Sequence, residues 1–340
     1  MSHQDRRPSR DDVARRAGVS GATVSYVLNS KAGVTISAKT QKAVWKAARV
    51  LGYEPSHAAR ALAAGRSFQI GVVGLGAENL FSPYHGPILK GIWRAASQAG
   101  CRLVLDSMEP KAPGSLFKAR VVDGVIAISQ SPESFPLDRR HWPKVAQFPV
   151  ATVGGGSWAQ RFHTVDIDNV KVGRAAADYL WAKGQRDVLI LGGYPESSTV
   201  RQRRQGFGEA FAARGATLPA ERFVDAGYEP EQAYPAAREL LRRSPRPTAI
   251  FCISDGVAVG LLRAARELGI EVPRNLSVLG VDASPLLVFT ALRLTSFRQP
   301  LEAMGEAACG LVLARPPKAT HTVLDFDLVE GDSVRELPGR

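Results

Sequence analysis

Short, mostly polar side chains share one side of the segment from position 20 to position 29. At helical spacing this side presents Gly21, Ala22, Ser25, Tyr26 and Asn29. Small residues and single hydroxyl or amide groups fit the floor of a DNA major groove, where they contact the base edges. The segment is therefore a candidate for reading duplex DNA.

Two helices with a tight turn between them are needed to present this face. Ser9, followed three residues later by Asp12, predicts a capping box at the start of the first helix, and Gly18 predicts its end. Ser20 predicts the cap of the second helix. The second helix packs back on the first through Ala22, Val24, Val27 and Leu28. The pattern predicts a helix-turn-helix.

A third helix is predicted to complete a small core. Ser37 is its expected cap and Gly52 its expected end. Its apolar positions are Val44, Ala47, Ala48 and Leu51.

Positive charge is concentrated in this part of the chain. The net charge of the whole protein is +12, and residues 1–66 alone hold 12 Lys or Arg against 4 Asp or Glu. A local basic excess is what a polyanion-binding module needs, because phosphate neutralisation releases condensed counterions. A solvated basic face is the alternative explanation.

The three predicted helices form an N-terminal head, residues 1–54. A further short helix, the hinge, is predicted after it, beginning near Ser56 and ending at Gly65. It spans fewer than twelve residues, so it would be marginal alone in water. We expect it to fold only against a partner surface; a plain surface connector is the alternative.

The head resembles the lactose-repressor (LacI/GalR) family. The similarity runs through residues 11–29 (DDVARRAGVSGATVSYVLN) and returns at residues 37–40 (SAKT) and 51–55 (LGYEP). It implies that Gly21, Ala22 and Tyr26 are the principal base-reading residues and that Leu62 of the hinge wedges between base pairs in the minor groove. Tyr26 departs from the Arg often found there, so the operator sequence is left open. The whole predicted DNA-binding set is Ser20, Gly21, Ala22, Thr23, Ser25, Tyr26, Asn29, Ser37, Ser56, His57, Ala59 and Leu62.

Beyond position 67, short apolar strands alternate with helical patterns. This rhythm predicts an α/β body with parallel sheets, long enough for two lobes. The expected domains are a helix-turn-helix head at 1–54, a hinge helix at 55–66 and a two-lobed body at 67–340. The expected strands are Ile70–Leu75, Leu103–Leu105, Gly124–Ile128, Val150–Val153, Val188–Leu191, Ala249–Cys252 and Val278–Val281.

The sequence gives no positive reason to expect an enzyme, a metal or a cofactor. Gly74-Leu75-Gly76 follows a strand, but Asn79 replaces the third glycine of a dinucleotide fingerprint. The three cysteines, at positions 101, 252 and 309, have no metal-binding or disulfide spacing. No Ser-His-Asp order or paired-carboxylate motif is present.

The body is similar to the family's effector-binding domain, which is related in fold to periplasmic sugar-binding proteins. Matching segments include residues 82–84 (SPY), 165–169 (VDIDN), 203–207 (RRQGF), 277–282 (SVLGVD) and 294–300 (LTSFRQP). The resemblance implies that Arg203 and Asp282 anchor ligand hydroxyl groups, with Tyr228 as an aromatic wall. Gly154 and Ser254 stand where many members have Asp and Asn, which leaves a standard pyranose ligand open. The predicted effector-binding set is Ser82, Tyr84, Arg203, Tyr228, Ser254, Asp282 and Gln299.

Together these features predict a homodimeric, cytoplasmic DNA-binding regulator, by default a repressor, controlled by a sugar or related polar metabolite. The charged first 20 residues lack the apolar core of a signal peptide. A solute-binding protein of a transport system and a nucleotide-dependent oxidoreductase are the alternatives, and each lacks its expected signal. The identities of effector and operator are left open.

Overall fold

The computed structural model describes residues 8–28, 34–54, 61, 64–74, 82–106, 121–128, 148–155, 161–285, 287 and 292–338. The chain divides into two compact units, Met1–Phe68 and Gln69–Arg340. We describe each unit by itself.

The first unit contains the three helices that the sequence predicts: α1 (Arg10–Ala17), α2 (Gly21–Leu28) and α3 (Ala38–Leu51). The capping box of Ser9 and Asp12 is confirmed, with the Ser9 N–H donating to Asp12 Oδ2 at 2.8 Å. Ser37 caps α3, and Gly18 and Gly52 end α1 and α3 in the left-handed conformation.

The core of this unit is formed by all three helices. Its buried side chains are Val13, Ala14, Val24, Val27, Val44, Ala47 and Ala48. The predicted packing is confirmed for Val24 and Val27 of α2, and Leu28 and Leu51 are partly buried against the core, whereas the placement of Ala22 was wrong because its side chain is exposed. Most of the predicted hinge helix lies outside the described residues; Ala61 and Ala64 are helical, and Gly65 has a φ of 64°.

The second unit contains twelve strands in its described part. They are β1 (Gln69–Val73), β2 (Arg102–Asp106), β3 (Gly124–Ile128), β4 (Val150–Val153), β5 (His163–Ile167), β6 (Val188–Leu191), β7 (Phe223–Val224), β8 (Ala249–Cys252), β9 (Ser277–Asp282), β10 (Thr295–Arg298), β11 (His321–Leu324) and β12 (Asp327–Val329). All seven predicted strands are present, with boundaries shifted at β1, β2 and β9, while β5, β7, β10, β11 and β12 are additions.

The strands form two six-stranded sheets, one in each lobe. The first has the order β11-β5-β4-β3-β1-β2 and is parallel throughout. The second has the order β12-β10-β9-β8-β6-β7, and only β12 runs antiparallel to its neighbour. The predicted two-lobed body with parallel sheets is confirmed.

Six described helices cover these sheets. They are α4 (His85–Gln98), α5 (Asn169–Ala182), α6 (Ser198–Ala212), α7 (Pro230–Arg242), α8 (Asp255–Glu267) and α9 (Leu301–Ala314). The chain leaves the first sheet after β5 and enters α5, which packs on α6 of the second lobe. It returns after β10 through α9, which packs on α4 and the first sheet, and crosses again between β11 and β12.

Glycines allow the closest helix crossing in the second lobe. A Cβ on Gly206 of α6 would lie 1.9 Å from the carbonyl oxygen of Val170, and one on Gly173 of α5 would lie 2.0 Å from that of Arg203. The backbones of α5 and α6 therefore touch, which fixes the helix that carries Arg203.

In the described part of the chain, no helix is long and apolar enough to cross a membrane. The same residues contain no group of three or more His, Cys, Asp or Glu side chains that could hold a metal ion.

Candidate functional site

A cavity of about 390 Å³ lies between the two lobes of the body. Its walls include the start of α4 from the first lobe and the carboxyl ends of β8 and β9 from the second, as expected for ligand sites in α/β folds. All seven residues of the predicted effector-binding set line this one cavity: Ser82, Tyr84, Arg203, Tyr228, Ser254, Asp282 and Gln299.

Asp282 is held in an unusual backbone conformation at the end of β9. Its φ is 123°, a region that side chains other than glycine rarely adopt. Gln299 Nε2 donates a 2.6 Å hydrogen bond to Oδ1, and the Asp255 N–H donates to Oδ2 at 3.4 Å. Burial raises the pKa of Asp282, while the nearby Arg203 opposes that rise. The strained backbone and the two donors together fix the direction of this carboxylate.

Asp255 positions the chain that follows Asp282. Its Oδ2 accepts a 2.6 Å hydrogen bond from the Ser284 N–H, and its Oδ1 accepts one of 2.7 Å from Ser296 Oγ. Burial raises the pKa of Asp255, and the adjacent Asp282 raises it further. Two carboxyl groups this close and this buried are harder to ionise together than apart.

Arg203 is 3% exposed and spans the cavity wall. Its Nε donates a 3.0 Å hydrogen bond to Asn169 Oδ1, and its Nη1 donates to the carbonyl oxygen of Ile253. A guanidinium held at two points has little rotational freedom left. Arg203 therefore presents its remaining N–H groups in a fixed direction.

Aromatic and hydroxyl groups complete the wall. The Tyr228 hydroxyl lies 2.7 Å from Ser197 Oγ, and Ser254 Oγ donates to the Tyr228 carbonyl oxygen at 3.2 Å. Ser254 also caps α8 by accepting from the Val257 N–H. Burial raises the pKa of both Tyr84 and Tyr228, so both hydroxyls remain protonated donors at neutral pH.

His85, next to Tyr84, also lines the cavity and was not predicted. Its Nδ1 lies 2.7 Å from Ser82 Oγ, and burial lowers the pKa of the imidazole to about 4. His85 is therefore a neutral polar group at physiological pH.

Sequence reasoning missed eight polar residues of this cavity: His85, Asp166, Asn169, Thr199, Glu229, Glu231, Asp255 and Ser284. The sequence carried no separate signal for Asp166, because its strand, β5, was itself not predicted. His85, Asn169 and Asp255 begin helices, where Asn and Asp also serve as ordinary caps.

The predicted DNA-binding face lies on α2 where the structure describes it. Ala22 is exposed, and Gly21, Ser25 and Tyr26 are half-buried. Two further members are helix caps: Ser20 Oγ accepts from the Thr23 N–H at 3.1 Å, and Ser37 Oγ from the Thr40 N–H at 3.2 Å. Asn29, Ser56, His57, Ala59 and Leu62 lie outside the described residues.

Arg10 is a further cation at this face. A Cβ on Gly21 would lie 2.9 Å from Arg10 Nε, so the arginine side chain rests against the predicted base-reading position. Arg10 Nε also lies 3.3 Å from Asp11 Oδ1, and both side chains are well exposed. An exposed ion pair of this kind contributes little to stability, so the Arg10 side chain is not strongly held by Asp11.

A helix-turn-helix unit followed by a two-lobed, cavity-bearing α/β body defines a ligand-regulated transcription factor. Family models agree with this class on both parts of the chain. Residues 11–56 match "Bacterial regulatory proteins, lacI family", and residues 177–334 match "Periplasmic binding protein-like domain".

Curated relatives cover nearly the whole chain. The HTH-type transcriptional repressors PurR of Erwinia tasmaniensis and of Salmonella arizonae are each 33% identical over 343 residues, covering 97% of this chain and 97% of theirs. Among solved structures, a CelR–cellobiose complex is 29% identical with a TM-score of 0.71, covering 96% of this chain and 100% of that one. An operator-bound lac repressor dimer has a TM-score of 0.81 at 22% identity, covering 97% and 100%.

The chain belongs to the lacI family of bacterial regulatory proteins. It is a DNA-binding transcriptional repressor with a body that binds a small-molecule effector, and the family and function expected from the sequence are confirmed.

Proposed function

We propose that this repressor binds a palindromic operator as a homodimer, in the cytoplasm, and that a polar metabolite in the interlobe cavity sets its affinity for DNA. It has no catalytic role. The head is residues 1–54, the hinge 55–66 and the body 67–340. The observation that carries the proposal is the convergence of Arg203 and Asp282 on one cavity from different strands and helices of the body.

The effector is a sugar or a related polyhydroxylated metabolite. Arg203 is buried and Asp282 half-buried in the cavity wall, and charged groups form stronger hydrogen bonds with hydroxyls than neutral groups do. Tyr228 and Tyr84 offer aromatic surface for the apolar face of a sugar ring. The relative CelR was solved with cellobiose, which supports this class of ligand.

The side chains that face the ligand are bonded to the chain crossings between the lobes. Asn169, which holds Arg203, is the first residue of α5 after the first crossing, and Gln299, which holds Asp282, lies at the second. A ligand that pulls on Arg203 and Asp282 shifts the balance between open and closed lobes. This change alters the pairing of the two hinge helices on DNA.

In the head, α2 enters the major groove with Gly21, Ala22, Ser25 and Tyr26 toward the bases. The remaining proposed contacts come from the helix caps and the hinge. They are Ser20, Thr23, Asn29, Ser37, Ser56, His57, Ala59 and Leu62, with Leu62 as the minor-groove wedge.

The test is duplex selection with the purified full-length protein. We expect repeated selection from a random duplex library to yield one palindromic sequence bound at least a thousandfold more tightly than random duplex. Members of a polar-metabolite panel that raise the melting temperature should also change operator affinity, and by linkage the operator should change metabolite affinity by the same factor. An unselected pool after many rounds, with and without metabolites, would contradict the proposal.

A further inference from the structure

One of the two carboxylate oxygens of Asp166, in the effector cavity, accepts no hydrogen bond from the described part of the protein. Asp166 is 5% exposed, lies in β5 and lines the cavity. Its Oδ1 accepts hydrogen bonds from the Ile167 N–H at 2.8 Å and from Asn169 Nδ2 at 3.1 Å. Within the described part of the chain, Oδ2 has no hydrogen-bond partner. Oδ2 is open to the cavity and not sealed in the protein interior, so it is available to accept a hydrogen bond from a ligand.

Acidic groups outnumber basic ones around the cavity. Arg203 is the one cation among the described lining residues, since burial keeps His85 neutral. Two of the Arg203 nitrogens are already bonded, to Asn169 and Ile253. The carboxyl groups that line the same space are Asp166, Glu229, Glu231, Asp255 and Asp282. Burial and the adjacent Asp282 raise the pKa of Asp255 to about 8, so this group is mainly protonated at neutral pH. The other four carboxyl groups still outnumber Arg203, so the cavity favours a cationic ligand over an anionic one.

The groups that face Asp166 come from three elements. Arg203 of α6 and His321 of β11 favour its ionised form, and burial opposes ionisation more strongly, so the pKa of Asp166 is raised. The Tyr84 hydroxyl lies in the same field, since Asp166 and Asp282 both raise the pKa of Tyr84. Asp166 and Asp282 thus flank the same region of the cavity.

We propose that Asp166 is an effector-binding residue, and that with Asp282 it selects a polyhydroxylated ligand carrying a protonated amine. Asp282 and Arg203 bind the hydroxyl groups, as in the proposed function on which this inference rests. Asp166 Oδ2 accepts from the ammonium group, which supplies the missing donor and neutralises the excess charge. Ligands bearing phosphate or carboxylate groups are excluded by the same field.

Asp166→Asn separates a binding role from a structural one. The amide oxygen can still accept from Ile167 and Asn169, so only the charge and the spare acceptor are lost. Asp168→Asn is the matched control: Asp168 is exposed, caps α5 through the Lys171 N–H at 2.8 Å, and does not line the cavity among the described residues.

The ligand experiment compares probes that differ in one group. Titration calorimetry on the full-length protein uses glucose, glucosamine, N-acetylglucosamine and glucose 6-phosphate, and then cellobiose with its diamino counterpart. We expect each amine to bind at least tenfold more tightly than its hydroxyl partner, and the phosphate not to bind. Asp166→Asn should abolish the amine preference, and Asp168→Asn should keep it.

A second measurement needs no ligand. Because the raised pKa means that ionisation of Asp166 opposes folding, Asp166→Asn should raise the melting temperature at pH 8 and give a smaller gain at pH 5. Asp168→Asn should show no such gain. If Asp166→Asn lowered the melting temperature at pH 8, the charge of Asp166 would stabilise the folded protein, and the inference would be overturned.

Three other results would also overturn it: neutral sugars that bind as tightly as the amines, an amine preference that survives in Asp166→Asn, or no binding by any amine. The operator selection is independent of all three. If the protein still selects a palindrome and responds to a neutral sugar, the proposed function stands and only the preference for an amine is overturned. If it selects no duplex, the proposed function is overturned.

Discussion

Arg203 and Asn169 are joined by a 3.0 Å hydrogen bond between the guanidinium Nε and the side-chain amide oxygen. Asn169 begins α5, where the chain has just left the first sheet, and Arg203 lies on α6, against which α5 packs. The cation that faces the cavity is thus bonded to the crossing between the lobes. A ligand that moves Arg203 acts directly on that crossing.

We predict that Arg203→Lys weakens effector binding at least tenfold. An ammonium group cannot bond Asn169 and Ile253 together in the geometry of a guanidinium. Calorimetry with a ligand from the metabolite panel measures the loss. Arg201→Lys is the control, because Arg201 is exposed on the same helix; an equal loss there would mean that the effect is not local to the cavity.

We predict that His85 makes the protein sensitive to acid. Burial lowers the His85 pKa from 6.5 to about 4, so the unfolded state binds the proton first and stability falls as pH drops from 6.5 toward 4. The loss from this residue is about 3 kcal/mol. Urea unfolding at pH 7.5 and pH 4.5 should show a smaller acid loss in His85→Gln. Part of the stability lost in acid that remains in His85→Gln comes from His163, because burial also lowers the pKa of that imidazole. If His85→Gln lost as much stability in acid as the unmodified protein, the role assigned to His85 would be contradicted.

Two glycines of α6 should respond to alanine in opposite directions. Gly206→Ala places a Cβ 1.9 Å from the Val170 carbonyl oxygen and should lower the free energy of unfolding by about 1–3 kcal/mol. A Cβ on Gly208, on the same helix, would meet no atom of a neighbouring described element within 4 Å, so Gly208→Ala should raise the free energy of unfolding by up to about 1 kcal/mol. Urea unfolding distinguishes them, and a neutral Gly206→Ala would show that α5 and α6 can separate freely.

Base contacts and phosphate contacts in the head should be separable by salt. We predict that Tyr26→Ala weakens operator binding and leaves the dependence on salt unchanged, because the contact proposed for Tyr26 is with the bases and not with a phosphate. Arg10→Gln should reduce the slope of log affinity against log salt by about 0.9, the value of one phosphate contact. Binding curves between low and high salt test both. A slope that changes in Tyr26→Ala and not in Arg10→Gln would reverse the two roles.

The head was predictable because its determinants are local. Ser9 and Asp12, three residues apart, satisfy each other at the start of α1, and Ser37 caps α3 over the same distance. The apolar strands of the body were predictable for a similar reason, since a continuous buried run such as Gly124–Ile128 carries its own signal.

The missed strand β10 contains polar residues whose partners are remote in sequence. In β10, Thr295 Oγ1 accepts a hydrogen bond from the Gly331 N–H and Ser296 Oγ donates to Asp255. Neither side chain would be expected in a buried strand until these tertiary partners are known. Asp255 and Asn169 were missed for the same reason, because their hydrogen-bond partners lie 27 to 41 positions away along the chain.

The three crossings of the chain between the lobes limit the ways in which genes for proteins of this fold can recombine. Each lobe is assembled from separate stretches of the chain, and β12 completes the second sheet only after β11 has joined the first. A genetic exchange that replaces one lobe alone would need several simultaneous breakpoints. A single breakpoint near position 68 transfers the whole first unit, so new operator specificity is far easier to acquire by gene shuffling than a new half of the sensor.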